Sequence, residues 1–105
     1  MKVEQFLNRN QFHLWDDTND SFQSYQSLIC NIRKDCEEVI LGGDWNYSTT
    51  TSKHLYAFLD EYLYDDMEDM NGDNIKYKLR NATNKRAYIQ KLIDNNIFLY
   101  DEEMR

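Results

Sequence analysis

The apolar residues of this chain change period once, near residue 43, and that change restricts it to a sheet followed by helices. Before the change, apolar residues alternate with polar ones in three runs: Phe12 to Trp15, Ser21 to Arg33, and around Val39, Ile40 and Leu41. Alternation is the mark of a half-buried strand. In the middle run Phe22, Leu28, Cys30 and Ile32 share one parity, and Tyr25 and Ile29 the other. Short polar turns at 16–20 and 34–37 join the runs, so an antiparallel meander is the default. After the change Leu55, Phe58, Leu59, Tyr62 and Leu63 recur at three- and four-residue intervals, the stripe of an amphipathic helix. Ser48, Thr49 and Thr50 stand before it as N-caps. A second stripe, Ile89, Leu92 and Ile93, ends at Asn95-Asn96.

The expected architecture is therefore α+β: a three-stranded antiparallel sheet at about residues 12–42, then two amphipathic helices at about 50–66 and 84–95. Three segments stay open. Val3, Phe6 and Leu7 fit a short helix or an extended lead-in, residues 75–82 fit strand or helix equally, and Ile97 to Tyr100 fits a last strand or a docked tail. At 105 residues, without a linker or an internal repeat, the chain reads as a single domain over 1–105.

Hydrophobic residues make up 41% of the chain, which sets it apart from disordered sequences. It has no proline and only three glycines, so Asn, Asp and Ser must make the turns. Twelve Lys and Arg against nineteen Asp and Glu leave a formal net charge of −7. That charge repels phosphate backbones, so direct nucleic-acid binding is disfavoured, and it favours a partner with a basic surface. Neither an apolar leader nor a membrane-length apolar run is present, and Cys30 and Cys36 form no disulfide framework. The expectation is a cytosolic protein with reduced thiols.

The stretch from Asp44 to His54 carries a compact motif. Trp45, Tyr47, Ser48, Thr50, Thr51, Lys53 and His54 follow the pattern Trp-x-Tyr-Ser-x-Thr-Thr-x-Lys-His. With the strands around Phe22–Tyr25 and Val39–Leu41, it resembles small phage- and prophage-encoded proteins of unknown function from low-GC Gram-positive hosts. The likeness spans about residues 10 to 63. It implies a phage origin and the cytoplasm of a bacterial host, and implies no activity. Two physical roles fit the motif: seating and capping the helix, or holding an anion at its N-terminus with Lys53 and His54.

Catalytic and metal chemistry find little footing. The spacings of His13, His54, Cys30 and Cys36 match no zinc-finger pattern; buried small thiols and one surface histidine explain them better. Ser48 or Ser52 with His54 lacks a nucleophile elbow and an orienting third group. With Gly72 at the sixth position of a calcium loop, Met67 and Lys78 fall where the strongest anionic ligands belong. Gly42-Gly43 is too short for a phosphate loop. No cofactor and no enzyme activity are expected.

One acidic run remains. Asp60, Glu61, Asp65, Asp66, Glu68, Asp69 and Asp73 occur with no Lys or Arg between Lys53 and Lys76, and Tyr64 and Met67 are interleaved with them. It is either a solvated stretch or a face imitating nucleic-acid phosphate, with Tyr64 and Met67 as apolar contacts. The leading expectation is a non-enzymatic inhibitor of a host nucleic-acid-handling enzyme, most concretely an anti-CRISPR protein that blocks an effector nuclease. The alternative is a nucleic-acid-binding module using Lys76, Lys78, Arg80, Lys85, Arg86 and Lys91.

Overall fold

The computed structural model describes residues 2–6 and 9–104. Strands β1 (Lys2–Gln5), β2 (Gln11–Trp15), β3 (Asn19–Ser24), β4 (Ser27–Arg33) and β5 (Glu38–Gly42) form an antiparallel meander. Helices α1 (Thr49–Tyr62), α2 (Ile75–Asn81) and α3 (Lys85–Asp94) follow, and β6 (Leu99–Asp101) returns parallel to β5. The sheet is six-stranded and mixed, in the order β1-β2-β3-β4-β5-β6. Two adjacent parallel strands need a long crossover, which the three helices supply.

This corrects the expected three-stranded antiparallel sheet with two helices. The run from Ser21 to Arg33 is two strands, turned at Tyr25-Gln26 without any of the usual turn residues. The lead-in is β1; of the residues that suggested a helix there, Leu7 lies outside the described residues. The ambiguous segment at 75–82 is α2, because Asn74 caps it, accepting from the Tyr77 amide at 2.9 Å. The first helix ends at Tyr62, so residues 64–66 belong to the following loop.

One sheet face meets the helices. His13, Phe22, Cys30 and Leu41 stand abreast on it, and Phe22, Cys30 and Leu41 are fully buried with Leu55, Phe58 and Leu59 of α1. The stripe read from sequence thus has the right phase, with Tyr62 at its half-buried edge. A bulge between Phe22 and Gln23 lets Ile29 and Cys30 both be buried although they are adjacent, and it moves Leu28 to the opposite face. That opposite face carries the row Val3, Leu14, Ser21, Asn31, Ile40 and Leu99. Among the described residues no helix is long and apolar enough to cross a membrane.

The C-terminal tail crosses β5 at Gly42, where a Cβ would collide with the carbonyl oxygens of Met104 and Leu28. Gly42→Ala is expected to push the tail off β5 and to cost about 1–3 kcal/mol, as overpacking does. Faster amide exchange at Gly43, which donates to the Met104 carbonyl at 3.2 Å, together with a lower melting temperature, checks this.

Candidate interaction surfaces

The structure divides the seven acids of the predicted face into three groups. Asp60, Asp65 and Asp73 are matched by the basic segment of α2: Arg80 reaches Asp60 at 2.8 Å, Lys76 reaches Asp65 at 2.8 Å, and Lys78 reaches Asp73 at 3.6 Å. Lys76 holds the Asp65 carboxyl below the usual range by hydrogen bond and by charge. Asp69 is buried and accepts from the Asn71 and Asp73 amides and from the Tyr88 hydroxyl. Glu61, Asp66 and Glu68 are exposed, with no ion-pair partner among the described residues. Residues far apart in sequence thus face each other, and neither the acidic run nor the basic segment is a uniform surface. Lys85 points inward, donating to the Leu79, Arg80 and Ala82 carbonyls at 2.8–3.2 Å. Tyr64 and Met67 are half-buried against the core.

Acidic side chains from separate segments also meet at the C-terminal end of α1. The Lys34 amide donates to the Thr18 carbonyl at 2.8 Å, joining the β2–β3 and β4–β5 turns, and the Tyr64 hydroxyl donates to the Arg33 carbonyl beside them. Burial first, then the carboxylates of Glu61, Glu4 and Asp20, push the Tyr62 hydroxyl up to about 12. Burial, Glu37, Cys36, Asp20 and Asp35 push Tyr64 in the same direction. Carboxylates from β1, β3, the β4–β5 turn and α1 therefore act electrostatically on Tyr62 and Tyr64. Some of that charge is answered locally. His13, stacked between Trp15 at 4.7 Å and Tyr62 at 4.1 Å, contacts Glu4 at 3.1 Å and Asp20 at 2.8 Å. Lys34 lies 3.5 Å from Asp20, and Arg33 lies 3.4 Å from Asp35.

Helix α1 has no basic residue in its last turn and no acidic residue in its first. Its charges are reversed relative to what the helix dipole favours, with Lys53 near the positive end and Asp60 and Glu61 near the negative one. Charge and dipole add, so negative potential gathers at Tyr62–Tyr64. At the other pole, Lys53, Lys85 and Arg86 line an open groove with Thr49, Tyr56, Thr83 and Asn84.

The motif residues separate as well. Trp45 is buried, and Ser48 caps α1 by accepting from the Thr51 amide at 3.1 Å. His54 is buried and donates from Nδ1 to the Thr50 carbonyl at 2.8 Å, and His13 is buried too, so neither is the surface histidine that was expected. Lys53 turns outward into the groove with Arg86, away from Ser48. An anion held jointly by Ser48, Lys53 and His54 has no geometry here, and capping accounts for the hydroxyls. Tyr47 alone is left over, 82% exposed.

Tyr47 borders a cleft of about 430 Å³ between the β3–β4 hairpin tip and the start of α1, lined by Ser24, Tyr25, Ser27, Ile29, Asp44, Ser48 and Thr51. Sequence reasoning missed it. The available signal was a two-residue turn built from Tyr25 and Gln26, where Gly or Asn is usual.

A meander sheet with helices packed on one face is the class these features define. Residues 1–77 match the model of a family of unknown function, DUF8033, and the chain belongs to that family. The match takes in the five meander strands, α1, the acidic turns and the hydroxyl-lined cleft. No curated protein and no solved structure matches the chain.

Proposed function

We propose that this chain is a non-enzymatic accessory protein of phage type. It works in the cytoplasm of a bacterial host and inhibits a host nucleic-acid-handling enzyme by protein–protein contact. Its narrowest form is an anti-CRISPR protein occupying the cationic nucleic-acid channel of an effector nuclease. The observation that carries this reading is the convergence of carboxylates from four segments around Tyr62 and Tyr64, at a helix pole that adds to their potential. Such a charge arrangement works against the helix and serves a basic partner, since complementary potentials steer encounter. The half-buried Tyr64, on which Glu37 acts, supplies the aromatic contact that interfaces favour. The resemblance to small phage proteins supports the origin.

The test is cleavage of a target duplex by guide-loaded effector nucleases from low-GC Gram-positive hosts, with this protein in excess. At least one nuclease is expected to be blocked, less so as salt rises, because exposed charges are screened over about 8–10 Å. Reversing Glu37, Glu61 and Asp66 to Lys should abolish the block and leave the melting temperature within a few degrees, since these groups are exposed. A reversed variant that blocks as well as the parent, or a panel with no blocked nuclease, overturns the proposal. Fluorescence anisotropy with labelled DNA is expected to give nothing tighter than the non-specific range. Tight binding lost on changing Lys53 and Arg86 would assign function to the basic groove instead.

A further inference from the structure

The cleft beside Tyr47 contains two residues whose identity folding does not explain. Tyr25 is the first residue of the two-residue β3–β4 turn and has φ 55°, the left-handed region that a bulky side chain enters at a cost. Gly or Asn would make the same turn without strain. Tyr47 is 82% exposed in the turn before α1, where a polar residue would serve as well. Strain held at a surface position is a reason to look for a function there. Both tyrosines border the same cleft, and its volume of about 430 Å³ lies within the range of small-ligand sites.

Between them the walls offer matched hydrogen-bonding groups. Ser24 and Thr51, both buried, share one hydrogen bond of 3.1 Å. Two hydroxyls bring two protons and that bond uses one, so one O–H remains on the wall. Thr51 has its amide committed to Ser48, and no other partner is seen for either hydroxyl among the described residues. Asp44 accepts from the Ser27 hydroxyl at 3.1 Å through one oxygen, which leaves the other as an acceptor. Among the described residues no Lys, Arg or His lines the cleft, which argues against an anion.

We propose that this cleft binds a neutral sugar ring. A pyranose presents adjacent hydroxyls, one able to donate to the Asp44 carboxylate while its neighbour accepts from the Ser24–Thr51 pair. Its C–H face lies against an aromatic ring, the contact that Tyr25 and Tyr47 provide at the rim, and Ile29 supplies an apolar wall. The single carboxylate would equally draw an ammonium group, but the cleft abuts the N-terminal, positive pole of α1, which opposes a cation and leaves a neutral polyol unaffected.

The experiment is an amide-resolved NMR titration of the full chain with glucose, galactose, N-acetylglucosamine, maltose, lactose and diacetylchitobiose, each to millimolar excess. A lysine derivative blocked at both termini serves as the cation probe. At least one sugar is expected to give saturable shifts at Ser24–Ser27 and Asp44–Thr51. Tyr47→Ala, at a side chain the core does not use, should weaken that sugar tenfold or more, as should Asp44→Asn. Tyr25→Gly should weaken it similarly while raising the melting temperature, a combination that a purely structural tyrosine would not give. The proposal is overturned if no sugar gives saturable shifts, if the shifts centre elsewhere, or if the lysine probe binds this cleft more tightly than every sugar.

Discussion

Phe58→Ala is expected to remove about 3–5 kcal/mol of stability, the range for deleting a buried aromatic ring. In a domain of this size that is a fall of at least roughly 12 °C in melting temperature. Phe58 is fully buried at the centre of α1, and its ring stacks on Phe22 of β3 at 5.5 Å. Phe6 meets it edge-on at 5.7 Å, Tyr62 lies at 4.9 Å, and His13 at 5.9 Å. Truncation therefore leaves a void bordered by four rings, from β2, β3, the residue after β1 and α1 itself, and rings in rotamer minima do not collapse freely to fill it. Phe58→Leu keeps most of the volume and should lose much less, mainly the ring-to-ring geometry. Thermal melts of both variants, with a urea titration to confirm an unchanged m-value, check the result. A Phe58→Ala protein that melts within a few degrees of the parent would mean that α1 does not seat on the sheet through this residue.

The same residue shows why part of the fold was legible. Leu55, Phe58 and Leu59 repeat at helical spacing because one face of α1 is wholly buried, and burial writes itself into sequence period. The hairpin tip left no such trace. Its turn is Tyr25-Gln26, and the residues that ordinarily announce a turn are missing because the strain is accepted rather than avoided. The bulge at Phe22–Gln23 then shifted the parity of β4, so that a strand read by strict alternation put Leu28 on the wrong face. Strand β6 has three residues, half-buried or exposed, and gains its identity only from pairing with Ile40, Leu41 and Gly42. Partners that distant in sequence cannot be read from local pattern.

The acidic run is a parallel case at the level of the site. Its composition was visible, but its electrostatics depended on what folding placed opposite. Helix α2 answers Asp60, Asp65 and Asp73, while Glu4, Asp35 and Glu37, none of them in the run, come to join Glu61 near Tyr62 and Tyr64. The one charge feature that sequence did hold was the direction of charge along α1, Lys53 early and Glu61 late, reversed relative to the helix dipole.

Asp69 is a structural carboxylate among exposed ones. Replacing it with Lys or Ala is expected to cost about 2–4 kcal/mol, because the Asn71 and Asp73 amides and the Tyr88 hydroxyl lose a charged acceptor. These bonds, at 2.9, 3.0 and 2.8 Å, close the loop around Gly72 and tie it to α3. Burial by itself raises the Asp69 carboxyl; the Tyr88 hydroxyl and the two amides outweigh it, so the group ends below the usual carboxylate range. The same contact, after burial, pushes the Tyr88 hydroxyl well above its ordinary value. A carboxyl depressed on folding stabilises the protein fully above its unfolded value, about 3.9, and the contribution is lost as pH falls through the folded value. The parent should therefore lose stability steeply below about pH 4. Asp69→Asn keeps an oxygen for the amides but cannot ionise, so it should begin less stable at pH 7 and show a shallower fall on acidification. Tyr88→Phe should reproduce part of the loss and leave the amide contacts intact. Chemical denaturation at pH 7 and pH 3 on the parent and these variants measures all of this. If Asp69→Asn tracks the parent at both pH values, the loop is held by its backbone alone.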